Sequence, residues 1–288
     1  VELQVHAEEF RKRGLNVAAI SYDSPEILRS FAARRNITFP LLSDTDSRAI
    51  RAFGILNETV QPDSFVHGVS YPGTYVLDAR GVVTAKYFEA DYQERVTASD
   101  ILVRQFGATP GRAADANGAP GVNGVEGKHL RVTASTSASF AVGGQKIALV
   151  LAVEMPPGIH VYAPGVQGYK PVAWEMLPGP AGLPARLFTS VTWPPSKMLH
   201  LKAIGETVPV YEKRLRLVRE FTLPSDELLR TATSRDGRMV LEGVFRYQAC
   251  DATTCYNPES LPVRFGIQVL RHDTERVPEQ LRRKSGGR

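Results

Sequence analysis

Both cysteines of this 288-residue chain lie in one short stretch, "YQACDATTCYNPE", residues 247–259, bounded by Tyr247 and Tyr256. Two thiols five positions apart, Cys250 and Cys255, suit a disulfide staple, a metal clip or a redox couple. In an extended strand at roughly 3.3 Å per residue those five steps cover about 17 Å, whereas a disulfide needs Cα atoms within about 7 Å. The segment must turn back if the two are to bond, and Asp251, Ala252, Thr253 and Thr254 are small or turn-compatible. As a staple the pair is weak: closing a six-residue loop is worth about 2 kcal/mol, against about 4.7 for a hundred-residue loop. As a zinc site it lacks a second Cys or His pair, since His160 and His200 are isolated in sequence. A short-loop disulfide can be reached by an attacking thiolate and can adjust as it opens. A redox couple is the leading reading; a structural disulfide and two free buried thiols stay open.

The elements that must hold this stretch fall into two textures. Residues 1–107 alternate helix and strand signals, an α/β pattern. Leu3, His6, Ala7 and Phe10 share a helical face, with Gly14 as its stop. No capping residue precedes that helix, which reads as a domain lacking its start. "NVAAISY" (16–22) reads as a buried strand, and Ser24-Pro25 opens a second helix. "ITFPLLSD" and "SRAIRAFGI" give a strand and a short helix. "GTYVLDARGVVTAKYF" gives a hairpin turning at Ala79-Arg80-Gly81, and "TASDILVRQFG" a closing helix that stops at Gly107. "SDTDS" (43–47) reads as a turn and helix cap. Residues 108–127, rich in Gly, Ala, Pro and Asn, have little to bury and read as a flexible linker. From 128 to 272 the β-type runs "LRVTASTSASFAV", "QKIALVLAVEM", "RLRLVREFTL", "RMVLEGVFRYQAC" and "LPVRFGIQVL" alternate with Pro/Gly turns, the pattern of an antiparallel β-sandwich. Tyr162, Tyr169, Trp174 and Trp193 read as its core or turn aromatics. Residues 273–288 form a basic tail.

"RRNITFPLLSDTDSRAIRAFGI" and "YPGTYVLDARGVV" resemble peroxiredoxins and related redoxins of the alkyl-hydroperoxide-reductase/thiol-specific-antioxidant (AhpC/TSA) group. The resemblance covers 1–107 and implies a thioredoxin-like fold in which a proline before the hairpin, here Pro72, is often cis. It also implies a reactive cysteine at the start of the opening helix, a position that precedes Val1. Residues 1–107 contain no cysteine, so this half performs no cysteine chemistry as it stands. Tyr71-Pro72-Gly73 also replaces the arginine that peroxiredoxins usually carry before this strand.

"FRYQACDATTCYNPESLPV", with "PPGIHVYAP" (156–164), "TWPPSK" (192–197) and "GETVPVYEKRLRL" (205–217), resembles the N-terminal (alpha) domain of the thiol:disulfide interchange protein DsbD over residues 128–272. That resemblance implies an immunoglobulin-like sandwich outside the cytoplasm, in the periplasm or at the outward face of a membrane. By it, Cys250 and Cys255 pass electrons between a membrane donor and other thiol/disulfide proteins without a cofactor. From the residues, Cys250, at the end of the longer strand, is the sulfur expected to be attacked. Tyr247 and Tyr256 would shield the thiols. Two departures stand out: four residues separate the cysteines where the family usually has five, and the cap-loop positions read Leu201, Lys202 and Ala203 in place of an acidic pair and a phenylalanine.

Composition excludes little else. The chain is 43% hydrophobic and 23% charged, an ordinary globular balance, with no apolar run long enough to span a bilayer. Of the net charge of +5, residues 271–288 supply six Lys/Arg against three Asp/Glu, so the excess marks a solvated tail and not a nucleic-acid surface. The expected protein is an incomplete redoxin domain, a linker and a DsbD-alpha-like domain acting as a thiol–disulfide oxidoreductase. The competing expectations are a peroxiredoxin-like antioxidant protein whose reactive cysteine lies upstream, and a non-catalytic interaction module braced by its disulfide.

Overall fold

The computed structural model describes residues 2–64, 66–89, 91, 93–108, 123–179, 181–201, 205–225, 227–272 and 278–281. Ser99–Arg271 form one compact unit, and the residues up to Ala98 belong to another.

The first unit runs α1 (Glu2–Lys12), β1 (Ala19–Ser21), α2 (Pro25–Arg35), β2 (Leu41–Ser43), α3 (Arg48–Ala52), β3 (Gly73–Leu77), β4 (Val83–Phe88) and β5 (Arg95–Val96). Its punctuation follows the sequence. Gly14 takes φ 75° beyond α1, and Ser24 Oγ accepts from the Ile27 amide ahead of Pro25. The Asp44 carboxylate caps α3 by accepting from the amides of Ala49 (3.2 Å) and Ile50 (2.9 Å). The hairpin turns at Gly81 (φ 79°), whose amide reaches the Asp78 carbonyl. β1 and β2 pair in parallel through α2, and β3 and β4 pair antiparallel as a separate sheet. Two expectations fail here. The strand expected to be buried over 16–22 is three residues long, and Ile20 and Leu42 of the parallel pair are 40% and 51% exposed. Successive residues of a strand point to opposite faces, and this two-stranded sheet leaves one of them uncovered. Pro72 is trans, since no cis peptide bond occurs among the described residues. Trans is the lower-energy form of an X–Pro bond by about 0.5–1 kcal/mol.

The second unit opens with α4 (Ala98–Gln105), stopped by Gly107 at φ 62°. The sequence assigns this helix to the redoxin-like part, yet its Val103 packs with Ala148, Val150 and Val218 of the strands that follow. Arg216 ties its end down by donating to the carbonyls of Val103 and Ala108. The strands that follow are β6 (Asn123–Glu126), β7 (Arg131–Thr136), β8 (Phe140–Ala141), β9 (Gln145–Glu154), β10 (His160–Tyr162), β11 (Ala173–Met176), β12 (Lys197–Leu201), β13 (Glu206–Glu212) and β14 (Arg214–Thr222). After helix α5 (Glu227–Ala232) come β15 (Arg238–Tyr247), β16 (Ala249–Cys250) and β17 (Glu259–Val269). β6 takes the end of the stretch read as linker, because its backbone pairs with β7. Residues 109–122 of that linker, and all of the basic tail except 278–281, lie outside the described residues.

One sheet runs β14-β9-β7-β6 and a second β11-β15-β17-β8. Their inward side chains, Leu149, Leu151, Leu217, Phe221, Phe245 and Phe265 among them, form one core. Each such side chain contributes roughly 1.5–3 kcal/mol by burial. β15 alternates buried and open positions along its length, as a strand with one face on a core must. β9 is buried continuously over 147–151, because α4 covers its outer face. Pairing is antiparallel except for β8, which runs parallel to β17. A third sheet, β12-β13-β10-β16, closes one end and carries the cysteines.

Candidate thiol–disulfide site

β15 ends at Tyr247, and the chain changes sheets at Gln248, whose side-chain amide donates to the Tyr256 carbonyl. Ala249 and Cys250 then pair with β10. Cys250 is therefore not the end of the long strand, as its sequence position suggests, but half of a two-residue strand. A tight turn follows. The Asp251 amide donates to the Thr254 carbonyl (2.9 Å), and the Asp251 carboxylate accepts from the amides of Thr253 and Thr254 (both 2.8 Å). That side chain is what folds the four intervening residues back. Cys250 and Cys255 meet across an antiparallel bridge with Cα atoms 4.1 Å apart, joined as a disulfide. The Tyr256 hydroxyl donates to Asp251 (2.7 Å) and, with the two amides, holds this carboxyl well below the usual carboxylate range.

The two sulfurs differ in access. Cys250 is 1% exposed, whereas Cys255 belongs to the solvent-exposed turn. The face of the third sheet that carries them follows from register. Tyr162 stands opposite Val210, while His160 stands opposite both Glu212 and Cys250. The intervening Val161, Tyr211 and Ala249 point the other way, into the main core. On the outer face Tyr162, Val208, Val210 and Cys250 pack as a small second core, flanked by Val166, Tyr169, Leu199 and Leu201.

Among the described residues, the Tyr162 hydroxyl is a polar group in contact with both sulfurs of the disulfide. Its hydroxyl lies 3.3 Å from Cys255 Sγ and 3.5 Å from Cys250 Sγ, and with both sulfurs bonded the hydroxyl is the donor. Its ring stacks on Tyr169 at 4.4 Å, and the Tyr169 hydroxyl donates to Glu206 at 2.7 Å. Burial pushes the Tyr162 hydroxyl above its ordinary pKa, and the hydrogen bond to Glu206 pushes Tyr169 up to about 12. Both phenols stay protonated, and Tyr162 stays a donor, across the physiological range.

The tyrosines expected to shield the sulfurs are placed otherwise. Tyr247 points into the main core, stacks on Phe245 and donates its hydroxyl to Glu259. Tyr256 stacks on His129 at 3.9 Å and holds Asp251, so it braces the turn. Sequence reading assigned Tyr162 to core packing. The signal that finds it is the alternation in "HVY", which sets it on the face of His160 once β10 is known to lie beside Cys250. Of the cap-loop positions, Lys202 and Ala203 lie outside the described residues, and Leu201 packs against the second core. Among the described residues no group of three or more His, Cys, Asp or Glu is placed to hold a metal ion, and no helix is long and apolar enough to cross a membrane.

Comparison with known proteins gives two separate matches along the chain. The AhpC/TSA family model matches residues 1–86, and the model of the N-terminal part of the thiol:disulfide interchange protein DsbD matches residues 130–265. Peroxiredoxin Bcp of Escherichia coli K12 is 35% identical over 85 residues, covering 28% of this chain and 51% of that protein. The chain thus spans about half the length of this curated relative. Among solved structures, the N-terminal periplasmic domain of ScsB from Proteus mirabilis is similar at TM-score 0.33 and 15% identity, covering 52% of this chain and 50% of that one. The reduced N-terminal domain of DsbD from Neisseria meningitidis is similar at TM-score 0.28 and 14% identity, covering 41% and 75%. The chain carries an AhpC/TSA-like segment over residues 1–86 and a DsbD-N-terminal-like segment over residues 130–265, and its two cysteines stand at disulfide distance, features that support a thiol–disulfide redox function in general.

Proposed function

We propose that this chain carries electron pairs by thiol–disulfide exchange at Cys250–Cys255, with Cys255 as the sulfur that partners attack. The exposure of Cys255 beside a buried Cys250 supports this reading. A partner thiolate attacks Cys255 Sγ, the Cys250–Cys255 bond breaks, and Cys250 leaves with the electron pair. The partner's second thiolate then attacks its own sulfur in the mixed disulfide and releases Cys255. The partner departs as a disulfide, and this chain has gained two electrons and two protons. Exchange with an acceptor disulfide runs the same steps in reverse. The sequence alone favoured attack at Cys250; burial of that sulfur argues against it.

The partners in this reading are dithiol proteins, one of them membrane-bound. The setting is extracytoplasmic, where disulfides persist, and the carrier domain, 128–272, is an immunoglobulin-like sandwich. The redoxin-like part, 1–107, contributes no thiol of its own. Equilibration in glutathione buffers tests the reading. The expected reduction potential lies above about −300 mV, the value below which structural disulfides fall. A lower potential assigns the pair to bracing a hairpin.

Tyr162→Phe gives a second expectation. As Cys250 leaves, the neighbouring phenol can donate to the new thiolate, and hydrogen bonds to charged groups are worth about 1.5–3 kcal/mol. Reduction of the disulfide by a small dithiol at neutral pH is expected to slow by about tenfold or more in Tyr162→Phe, with the unfolding midpoint nearly unchanged. Stopped-flow rates equal to those of the parent chain would remove Tyr162 from the exchange.

A further inference from the structure

We propose that His160 is the proton partner of Cys250, set in a Glu212–His160–Cys250 row across three neighbouring strands. The proposal rests on the exchange reading above and names the group that manages the leaving sulfur's proton. His160 on β10 is the register partner of Glu212 on β13 and of Cys250 on β16. Directly opposed residues of antiparallel strands share a face, with Cβ atoms about 4.5–5.5 Å apart. The three side chains therefore leave adjacent strands on one face, and Val161, Tyr211 and Ala249 on the opposite face belong to the main core.

Burial makes this row unusual. His160 is 3% exposed, and its Nε2 has no hydrogen-bond partner among the described residues. A buried polar nitrogen left unpaired needs an explanation. A disulfide sulfur carries no proton and accepts only weakly, whereas a Cys250 thiol or thiolate would offer that nitrogen a stronger partner from the paired strand. The charged and titratable groups around the imidazole are Glu212 from β13, Asp251 from the turn after β16, Tyr162 on its own strand with the rings edge-on at 5.8 Å, and Lys197, which pairs with Glu212 at 2.8 Å. Burial makes the imidazole less basic than usual, and Glu212 and Asp251 oppose that. It is held neutral but ready to charge when a thiolate forms beside it.

The steps balance. When a partner thiolate attacks Cys255, the S–S bond breaks and the electron pair goes to Cys250. His160 Nε2 takes from solvent the proton that the partner thiol gave up, so the new thiolate faces an imidazolium backed by Glu212. In the oxidising direction the Cys255 thiolate first attacks an acceptor disulfide, whose S–S bond breaks and releases one acceptor thiolate, leaving Cys255 in a mixed disulfide. The Cys250 thiolate, its proton on His160, then attacks Cys255 Sγ and displaces the acceptor's thiolate, which receives that proton. A leaving thiol of lower pKa leaves faster, so the row would speed exchange near neutral pH.

The test uses the full chain with Cys255→Ser, which leaves Cys250 as the sole thiol, with and without His160→Gln. Ultraviolet thiolate absorbance against pH reads Cys250 directly. Removing the imidazole is expected to raise its midpoint by roughly one pH unit or more, about tenfold less thiolate at a given pH. Equal midpoints overturn the proposal. A second measurement needs no substitution in the protein observed: NMR titration of the His160 ring in the oxidised chain and in the chain reduced by a phosphine, with His160→Gln serving only for assignment. Linkage is reciprocal, so the His160 midpoint is expected to rise by about one pH unit on reduction, and an unmoved midpoint again overturns the proposal. Glutathione exchange separates the two readings. If the titrations shift but the pair does not open in glutathione, the exchange reading fails and the row stands. If the pair exchanges while neither titration shifts, the row alone fails.

Discussion

The full chain carrying Cys250→Ser is expected to accumulate a stable mixed disulfide at Cys255 when mixed with glutathione disulfide, while Cys255→Ser reacts far more slowly. In the first variant the exposed sulfur is reached directly, and no neighbouring thiol remains to expel the adduct. In the second the only thiol is Cys250, 1% exposed behind Tyr162 and the second core. Reaching it requires the turn or β16 to open. An opening that costs about 3 kcal/mol slows capture about a hundredfold. Mass spectrometry of the adducts over time reads both rates. Equal rates would mean that the turn opens freely, and a faster Cys255→Ser would transfer the attacked role to Cys250. Either result removes the asymmetry on which the proposed direction of attack depends.

The stability of the second unit is expected to fall between about pH 4 and pH 7 because of one carboxyl. Asp100 on α4 is fully buried, and burial raises its pKa to about 7 despite Arg104 at 3.1 Å. Arg104 is shared with Glu220 of β14, and the nearby Glu220 charge raises Asp100 further. Below the unfolded pKa, near 3.9, Asp100 is protonated in both states and its contribution to stability is complete. As pH rises the unfolded chain releases this proton first. The folded state then binds more protons than the unfolded one, and stability drops by about 1.4 kcal/mol per pH unit until the folded pKa is passed. Over that window the loss reaches about 4 kcal/mol. Asp100→Asn presents a neutral group at every pH and lacks this slope. Its stability relative to the parent chain, from urea unfolding at pH 4.5 and pH 8, is therefore expected to improve toward high pH by a few kcal/mol. A constant difference would show that Asp100 is ionised in the folded chain throughout.

Much of the fold could be read from residues one at a time. Ser24-Pro25, Gly14, Gly81 and Gly107 mark boundaries because φ above zero or a missing amide is tolerated at few positions. The long strands β9, β14, β15 and β17 announce themselves through alternation or unbroken apolar runs. The three-residue β10 and the two-residue β16 are too short to show a period, and β12 and β13 sit among prolines. The sheet that holds the site was therefore the part that sequence reading passed over. The redoxin-like part shows the opposite error: one apolar run, 16–22, suggests a buried strand, and Ile20 within it is exposed.

By itself the sequence determined that any thiol chemistry in this chain belongs to Cys250 and Cys255, that the four residues between them can turn, and that two unlike textures flank residues 108–127. Only the tertiary structure decided which sulfur meets solvent, that Tyr162 and not Tyr247 stands over the pair, and that His160 lies between Glu212 and Cys250. The reason is geometric. Alternation along a strand says which of its residues share a face, but nothing local says which strands become neighbours. Here the neighbours, β13, β10 and β16, are separated by long stretches of chain and meet only through backbone pairing in one sheet.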